Sequence, residues 1–284
     1  MTILFCNHPL AAREVDPDYL EEWEAAGRHG FERGLVSFED LTAGAPLRRL
    51  PAEGLCLYRG WMLRPEQYDR LYQALDGRLV HTPEQYRFCH LFPPSYPYLE
   101  GMTPESVWTD QPDQFHDLLA RFGDQPVVIK DYVKSRKHEW LEACYIPRAD
   151  QPGRVVETFL ERQGEDLVGG LVVRRFEAFE QVGVHPLSGL PTFREYRLFF
   201  AEGRLLLSFP YWGDELEGPG PPSEPFASLA ARLPARFFTM DVARRSDGQW
   251  RVVELGDGQV AGLPGRVDEF YARLATSWSD ALQS

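Results

Sequence analysis

The sequence predicts a protein of mixed α and β structure, with an α/β region first and an α+β region after it. The chain has 284 residues, of which 43% are hydrophobic, and this is enough for a full core and for two or three subdomains. Strand and helix patterns alternate in the N-terminal part, as in an α/β fold. After Trp140, short strand patterns bounded by glycine or proline predominate, which is typical of an antiparallel sheet.

The N-terminal region begins with strand and helix patterns in the order β-α-β-β-α. Strands are predicted for the apolar runs 2–6, 35–38, 55–58 and 78–81. Helical spacing follows three pairs in which proline fits the first helical turn, Asp16-Pro17, Arg64-Pro65 and Thr82-Pro83. Residues 92–104, FPPSYPYLEGMTP, predict an ordered connector because proline and aromatic residues restrict the chain. We therefore expect a first domain over 1–100.

The region after the connector is predicted to consist mainly of strands. Helices are expected at 113–122 and 228–233. The predicted strands are 127–130, 143–147, 155–160, 167–176, 193–200, 204–209, 237–243 and 250–255. Asp247-Gly248 is a strong hairpin signal between the last two strands. We expect a larger domain over 101–284, with subdomains of about 101–172 and 173–284.

The charge and the cysteines limit the possible function classes. A formal net charge of −13 argues against non-specific binding of a nucleic-acid backbone, although a local basic groove would escape this objection. The four cysteines are far apart in sequence, so neither a zinc site nor a redox pair is indicated, and buried reduced thiols are expected. A dehydrogenase is disfavoured because no G-x-G-x-x-G pattern follows the first strand. Without a signal peptide or a membrane-length apolar stretch, we expect a cytoplasmic protein.

All three lysines of the chain lie in one short segment. Lys130, Lys134 and Lys137 fall within eight residues, whereas the other 27 of the 30 lysine and arginine residues are arginines. This contrast indicates a need for compact ammonium groups, and phosphate binding is the obvious one. The apolar run 127–129 places Lys130 at the carboxyl end of a strand, the edge at which open α/β sheets bind ligands. The simpler explanation is that three lysines are clustered by chance.

Carboxylates interrupt the apolar patterns of the last two predicted strands. Asp241 and Glu254 each follow an apolar run, and Asp257 lies just beyond. A buried carboxylate is costly unless it is paired or bound to a metal. On adjacent strands, these residues offer hard oxygen ligands for a Mg²⁺ ion that bridges nucleotide phosphates. The alternative is that they form structural ion pairs with arginines, for which Arg244, Arg245 and Arg251 are available.

The order of these features resembles the ATP-grasp superfamily, and more narrowly its clade named for two arginines and one lysine. The resemblance rests on the lysine at a strand end, VVRRFEAFE, FREYRLFFAEGRLL, the aspartate strand and VVELGDGQVAGLP, and it covers about 100–264. The preceding region resembles the α/β pre-domain of that superfamily. The resemblance implies an ATP-grasp fold, with a Rossmann-like pre-domain and two α+β subdomains that sandwich the nucleotide, one bearing the lysines and the other the magnesium carboxylates.

The resemblance also implies roles for individual residues toward ATP and Mg²⁺. Lys130 would contact the phosphates, with Lys134 and Ser135 in a loop over them. Arg175, Phe176 and Glu177 would form the adenine hinge, and Glu180 would bind the ribose. Arg197 would face the transferred phosphate, with Arg194 as a second arginine. Asp241 and Glu254 match the magnesium carboxylates, and Asp257 is a further candidate.

Three departures from the family pattern stand out in this sequence. The segment DYVKSRKHEW has no glycine, although the phosphate loop is often rich in it. Gly256 stands where the pattern Glu-x-Asn has asparagine, and Asp257 is a possible substitute. No lysine precedes Lys130, although a further upstream lysine is expected.

The function implied is an ATP-dependent carboxylate–amine ligase that forms an amide or peptide-type bond through an acyl phosphate and releases ADP and phosphate. Lysine, arginine and Mg²⁺ would neutralise the anions that such phosphoryl transfer brings together. The partners would be a small-molecule or peptide carboxylate and an amine, with no membrane and with nucleic acid disfavoured. The alternatives are an ATP-binding regulatory module with little or no catalysis, and ATP-dependent modification of another polymer. The residues leave both substrates and the oligomeric state open.

Overall fold

The computed structural model describes residues 1–186, 189–212 and 216–281, which form helices and four β-sheets. The described residues divide into two compact units. The first contains 1–90, 196–241 and the residues from 254 onwards, and the second contains 91–195 and 242–253.

The N-terminal segment of the first unit is an α/β layer. Its elements are β1 (Thr2–His8), β2 (Ala11–Val15), α1 (Leu20–Arg28), β3 (Glu32–Val36), α2 (Phe38–Ala43), β4 (Cys56–Arg59), α3 (Pro65–Ala74) and α4 (Pro83–His90). Strand β1 lies between β3 and β4 and is parallel to both, so that Leu4 pairs with Gly34 on one side and Tyr58 on the other. Strand β2 pairs antiparallel with the end of β1. The apolar side chains of β1 alternate between two buried clusters, which explains why this strand is apolar throughout.

The second unit contains a four-stranded antiparallel sheet in the order β5-β8-β6-β7. The elements of this part of the chain are α5 (Phe92–Leu99), β5 (Ser106–Thr109), α6 (Phe115–Ala120), β6 (Val127–Lys130), α7 (Trp140–Ala143), β7 (Tyr145–Ile146), α8 (Val155–Gln163), β8 (Leu171–Arg175), β9 (Gln181–Val184) and β10 (Pro191–Phe193). Helices α6 and α8 pack on the sheet through Phe115 and Phe159, which join Ile129 and Val173 in one buried cluster. Strands β9 and β10 form a separate two-stranded sheet.

The C-terminal segment contains a sheet in the order β12-β11-β13-β14, of which residues 196–201, 204–210, 237–241 and 254–257 belong to the first unit. Its elements are β11 (Glu195–Ala201), β12 (Arg204–Pro210), α9 (Ser223–Ala230), β13 (Phe237–Arg244), β14 (Trp250–Asp257) and α10 (Val267–Ala281). A tight turn joins β11 to β12, and Glu202 and Gly203 both have positive φ there, as a two-residue hairpin requires. Helix α10 packs Phe270 and Trp278 against Phe237 of β13.

The predicted class is confirmed, because a parallel α/β layer comes first and antiparallel sheets follow it. Two strands, β3 and β7, overlap their predicted ranges in part. Strand β6 has the predicted bounds. Seven further predicted strands are present, with bounds that differ by a few residues: β1, β4, β8, β11, β12, β13 and β14. The predicted domain boundaries near 100 and 172 stay predictions.

Two segments differ from the prediction in kind. Residues 155–160, expected as a strand, form the start of α8, because Val156, Phe159 and Gln163 are buried at helical spacing. Residues 92–99 of the predicted connector form α5, in which two of the three prolines fall in the first turn, where no helical N–H is needed. Pro97 lies inside that short helix.

Smaller differences affect the N-terminal layer. Phe38, expected at a strand end, begins α2, because Ser37 caps the helix by accepting the N–H of Asp40. Leu79 makes a single bridge to Cys56 instead of a strand with its neighbours. The helix expected at 228–233 runs over Ser223–Ala230.

None of the described helices combines the length and the apolar character that crossing a bilayer requires.

Candidate active site

The first group of candidate residues, in the second unit, surrounds the end of β6. Lys130 is the last residue of that strand, and its Nζ donates to the carbonyl of Val133 at 3.0 Å. The turn that follows is organised by Asp131, a fully buried residue. Its Oδ1 accepts the N–H groups of Val133 and Lys134, and its Oδ2 accepts from Gln163 at 2.8 Å. A buried carboxylate with this many donors is satisfied, so Asp131 fixes the turn that carries Lys134.

Lys134 and Ser135 are both exposed in that turn, as a loop over a ligand would require. The segment after them is attached to α8. Arg136 donates to the carbonyl of Arg162 and to Gln163 Oε1, each at 3.0 Å, and it also pairs with Glu139. The side chains of Asp131 and Arg136 therefore order the glycine-free segment.

The predicted hinge at 175–177 begins at the last residue of β8. Arg175 pairs with Glu105 at the surface. The ring of Phe176 packs edge-on against Tyr145, which stacks on Trp140 with ring centroids 5.1 Å apart. Phe176 thus belongs to an aromatic group that sequence reasoning did not detect, because its other two members lie on α7 and β7.

Glu177, the third hinge residue, has a carboxylate that is committed to arginines. Both of its oxygens accept from Arg251 at 3.1 Å, and Arg245 lies 3.6 Å away. Arg251 also donates to the carbonyls of Gly101 and Thr103. The Glu177 side chain therefore holds the hinge in place.

Glu180 and Arg194, both predicted site residues, lie together with Arg244. The carboxylate of Glu180 accepts from Arg194 Nε at 2.9 Å and from Arg244 at 2.7 Å. The hydrogen bond from Arg194 is the main cause that lowers the pKa of Glu180. The three backbones are also linked in a ring, because Glu180 donates to Arg244, Arg244 to Arg194 and Arg194 to Glu180. Both predicted residues thus occupy one rigid junction.

A second group lies in the first unit, on the sheet that contains β11, β13 and β14. Arg197 of β11 donates two parallel hydrogen bonds to Asp241 of β13, at 2.8 and 2.7 Å. Asp241 is 3% exposed, and Arg197 also donates to the carbonyl of Gly262 and lies over the ring of Tyr211. Burial acts to lower the pKa of Arg197, but the hydrogen bonds and charge of Asp241 outweigh it, so the pKa is raised and Arg197 stays charged.

Glu254 lies opposite Asp241 on the neighbouring strand. The N–H of Gly258 donates to the carbonyl of Phe237, and Thr239 lies against Gly256. These contacts pair residue 237 with residue 258 and residue 239 with residue 256. Because the strands are antiparallel, two residues further along each strand Asp241 lies opposite Glu254, and both side chains are on one face. The exposed carboxylate of Glu254 contributes to the electrostatic environment of Arg197.

Asp257 is an odd number of residues from Glu254 on β14, so its side chain points to the other face of the strand. There it lies 2.6 Å from Nδ1 of His81. The other ring nitrogen, Nε2, accepts the N–H groups of Arg236 and Phe237, so the ring proton is on Nδ1 and is donated to Asp257. Both nitrogens of His81 are thus engaged in a structural role.

Cys89 also lies near His81 and Asp257, and the three possible ligand atoms lie within 4.8 Å of one another. Burial raises the pKa of Cys89 well above its ordinary value. Both ring nitrogens of His81 are already engaged in hydrogen bonds, so neither offers a free lone pair to a metal. We therefore interpret this cluster as a structural one, in which hydrogen bonds hold distant segments of the first unit together.

The structure brings some predicted site residues together within each unit. Arg197, Asp241 and Glu254 share one face of one sheet, Glu180 and Arg194 share a junction, and Lys130 and Lys134 flank the Asp131 turn. Asp257 does not join Asp241 and Glu254. The two carboxylates fit Mg²⁺, which prefers oxygen ligands, since each oxygen has two lone pairs and Asp241 can accept from Arg197 and still ligate.

Comparison with solved structures shows the fold of the whole chain. A RimK domain ATP-grasp protein from Sphaerobacter thermophilus aligns with a TM-score of 0.62 at 18% identity, covering 97% of this chain and 98% of that one. D-cycloserine synthetase DcsG aligns with a TM-score of 0.61 at 14% identity, with the same coverage. The ATP-grasp ligase PsnB, complexed with a minimal precursor, Mg and ADP, has a TM-score of 0.58 at 14% identity and covers 100% of this chain and 98% of its own.

Comparison by sequence identifies the family. No curated protein matches the chain. The model of an ATP-grasp domain, family 3 of the clade named for two arginines and one lysine, matches residues 121–279, more than half of the chain. That range includes the lysine segment and both carboxylate strands described above. The chain therefore belongs to the ATP-grasp superfamily, within that clade.

Proposed function

We propose that this chain is an ATP-dependent carboxylate–amine ligase that forms an amide or peptide-type bond through an acyl phosphate and releases ADP and phosphate. One observation carries the proposal: a charged guanidinium, Arg197, lies beside two carboxylates, Asp241 and Glu254, on one face of one sheet. Two carboxylates suited to a divalent cation and a fixed cation for an anionic substrate are what phosphoryl transfer to a carboxylate needs.

The residues of the second unit are proposed to bind the nucleotide. Lys130 contacts the phosphates, and Lys134 and Ser135 lie in the loop that covers them. The backbone at 175–177 reads the adenine edge, and Phe176 packs against the ring. This assignment leaves the carboxylate of Glu177 in its ion pairs with Arg251 and Arg245, since only the backbone is needed.

Glu180 is proposed to bind the ribose hydroxyls. Its two arginine partners keep the carboxylate ionised and oriented, and ionised oxygens are the stronger acceptors. Arg194, the second arginine, is proposed to act on the same nucleotide. Because Arg194 already donates to Glu180, it also holds the ribose acceptor in position.

Arg197 is proposed to face the phosphate that is transferred. Its pairing with Asp241 fixes the orientation of the planar guanidinium before substrate arrives. Asp241 and Glu254 would hold Mg²⁺, which when bound neutralises the phosphates during transfer. Asp257 takes no part, because His81 holds its carboxylate on the other face of β14. We retain domains of 1–100 and 101–284 as part of the proposal.

The relatives support this reaction type. The names of two of them, a synthetase and a ligase, and the precursor bound to the second, point to a small-molecule or peptide carboxylate and an amine as substrates. A regulatory ATP-binding module is the main alternative, and Gly256 in place of asparagine favours it. Modification of another polymer is a further alternative, which the net charge of −13 disfavours for nucleic acid.

Measuring ATP binding with and without Mg²⁺, and then screening amino acids and peptides for ADP release, tests the proposal. A ligase releases ADP only when a carboxylate and an amine are both present. Tight binding without ADP release on any pair of substrates would favour the regulatory module, and absence of ATP binding would refute both.

A further inference from the structure

Gly256 leaves a space on β14 that a neighbouring side chain occupies. A Cβ built on Gly256 would lie 2.8 Å from Oγ1 of Thr239, closer than real Cβ contacts allow. Among the described residues, no other atom lies within 4 Å of that position, apart from the chain neighbours of the glycine. The Thr239 hydroxyl thus lies where the side chain of a residue at 256 would start.

Thr239 lies on the same face of the sheet as the carboxylates. It is two residues before Asp241 on β13, and side chains two apart in a strand point the same way. Gly256 is two residues after Glu254 on β14, so the pair Thr239 and Gly256 adjoins the pair Asp241 and Glu254. Thr239 is 2% exposed and lies between the apolar core around Phe237 and the charged residues Asp241 and Glu254.

The Thr239 hydroxyl is held loosely where it is. Its hydrogen bond to the carbonyl of Gly256 is 3.5 Å long, whereas hydroxyl donors usually lie about 2.7–2.8 Å from their acceptors. A buried hydroxyl with such a weak bond has lone pairs available. It can therefore accept another partner without breaking a strong interaction.

We propose that the Thr239 hydroxyl supplies the neutral oxygen ligand that Gly256 cannot supply. The proposal rests on the proposed function, since it concerns the same Mg²⁺ ion. Threonine and serine hydroxyls ligate Mg²⁺ beside nucleotide phosphates in other folds. In this chain the neutral ligand would come from β13 in place of β14, next to the charged ligand Asp241. The Thr239 hydroxyl would then compensate for the missing oxygen ligand at Gly256.

Mn²⁺ binding tests this without any assay of turnover. Mn²⁺ is titrated into the full chain with ADP present, and unbound Mn²⁺ is measured by electron paramagnetic resonance. Thr239→Val keeps the shape of the side chain and removes the hydroxyl, so Mn²⁺ affinity should fall about tenfold or more. Thr239→Ser keeps the hydroxyl and should bind Mn²⁺ with the affinity of the unaltered chain. Equal affinity in the valine variant would overturn the proposal.

Asp241→Asn separates this proposal from the proposed function. Loss of Mn²⁺ binding in Asp241→Asn with unchanged binding in Thr239→Val would reject the threonine ligand and leave the ligase site standing. Unchanged binding in Asp241→Asn would reject the metal site itself.

A double variant that moves the oxygen ligand from position 239 to position 256 provides a second test. Gly256→Asn alone should weaken Mn²⁺ binding, because its Cβ collides with the Thr239 hydroxyl. Combining it with Thr239→Ala removes that collision and restores an oxygen ligand from β14, so affinity should recover toward that of the unaltered chain. Equal losses in the single and the double variant would show that the two positions do not share one ligand site. The melting temperature without metal, measured for each variant, identifies any loss that comes from misfolding.

Discussion

Replacing Arg197 by methionine should expose how strongly the sheet depends on the pair with Asp241. The change removes the guanidinium that donates two hydrogen bonds to a carboxylate that is 3% exposed. Breaking a buried ion pair from one side costs about 3–5 kcal/mol. The Arg197 side chain is 17% exposed, so water can partly replace it, and we expect the lower end, about 3 kcal/mol near pH 8.

The loss should depend on pH with a definite sign. In the variant, burial raises the pKa of Asp241, because the neighbouring positive charge of Arg197 is gone. An acid whose folded pKa is raised is stable when protonated and loses stability as pH rises, so the deficit should be larger at about pH 8 than at about pH 5. Urea unfolding at both pH values measures it.

Two variants serve as controls for this measurement. Arg13→Met removes an exposed arginine from β2 and should change stability by no more than about 0.5 kcal/mol. Arg197→Met combined with Asp241→Asn should recover part of the loss, because no buried charge remains. A deficit of less than about 1 kcal/mol at both pH values would refute the reasoning, since it would be no larger than that of an exposed pair.

Further predictions concern three other groups. Lys130→Ala should weaken ATP binding about tenfold or more, because it removes a hydrogen bond to a charged group. Calorimetry measures the affinity, and the matched change Lys137→Ala should have a smaller effect. Arg59→Met should lower the free energy of unfolding by about 3–5 kcal/mol, because it leaves the carboxylate of Glu22 buried without its bidentate partner. Glu180 has a folded pKa below its unfolded one, so its stabilisation is lost as pH falls through the folded value. Glu180→Gln should therefore flatten the loss of stability below the ordinary glutamate pKa, as thermal unfolding across acidic pH would show.

Several residues of the candidate site stand out in the sequence because they interrupt simple local patterns. Lys130 ends an apolar strand, and Asp241 stands within one, so both are visible as charges at unusual positions. The strand positions themselves follow from runs of apolar residues. The class of fold follows from the same signals.

The parts that could not be predicted depend on contacts between distant segments. Arg251 was available to pair with the carboxylates of the last strands, yet it pairs with Glu177, 74 residues away. Asp131 follows Lys130 directly, but its role appears only once the turn at 133–134 folds back on it. Thr239 gave no signal, because its position against Gly256 follows from strand register.

Helix α8 shows a different limit of local patterns. Its sequence VVETFLERQ begins with two β-branched residues, which favour strands, and over six residues the apolar pattern fits either structure. The helical spacing becomes clear only when Gln163, a buried polar residue, is included. That residue is buried because it donates to Asp131.

The most direct test of the ligase follows oxygen from the carboxylate substrate. A substrate pair found by the ADP screen is supplied with Mg²⁺, ATP and a carboxylate labelled with heavy oxygen, and the released phosphate is analysed by mass spectrometry. An acyl phosphate requires one carboxylate oxygen to leave with the phosphate, so the account predicts labelled phosphate in equal amount to the ADP. Unlabelled phosphate, or AMP and pyrophosphate in place of ADP, would contradict it.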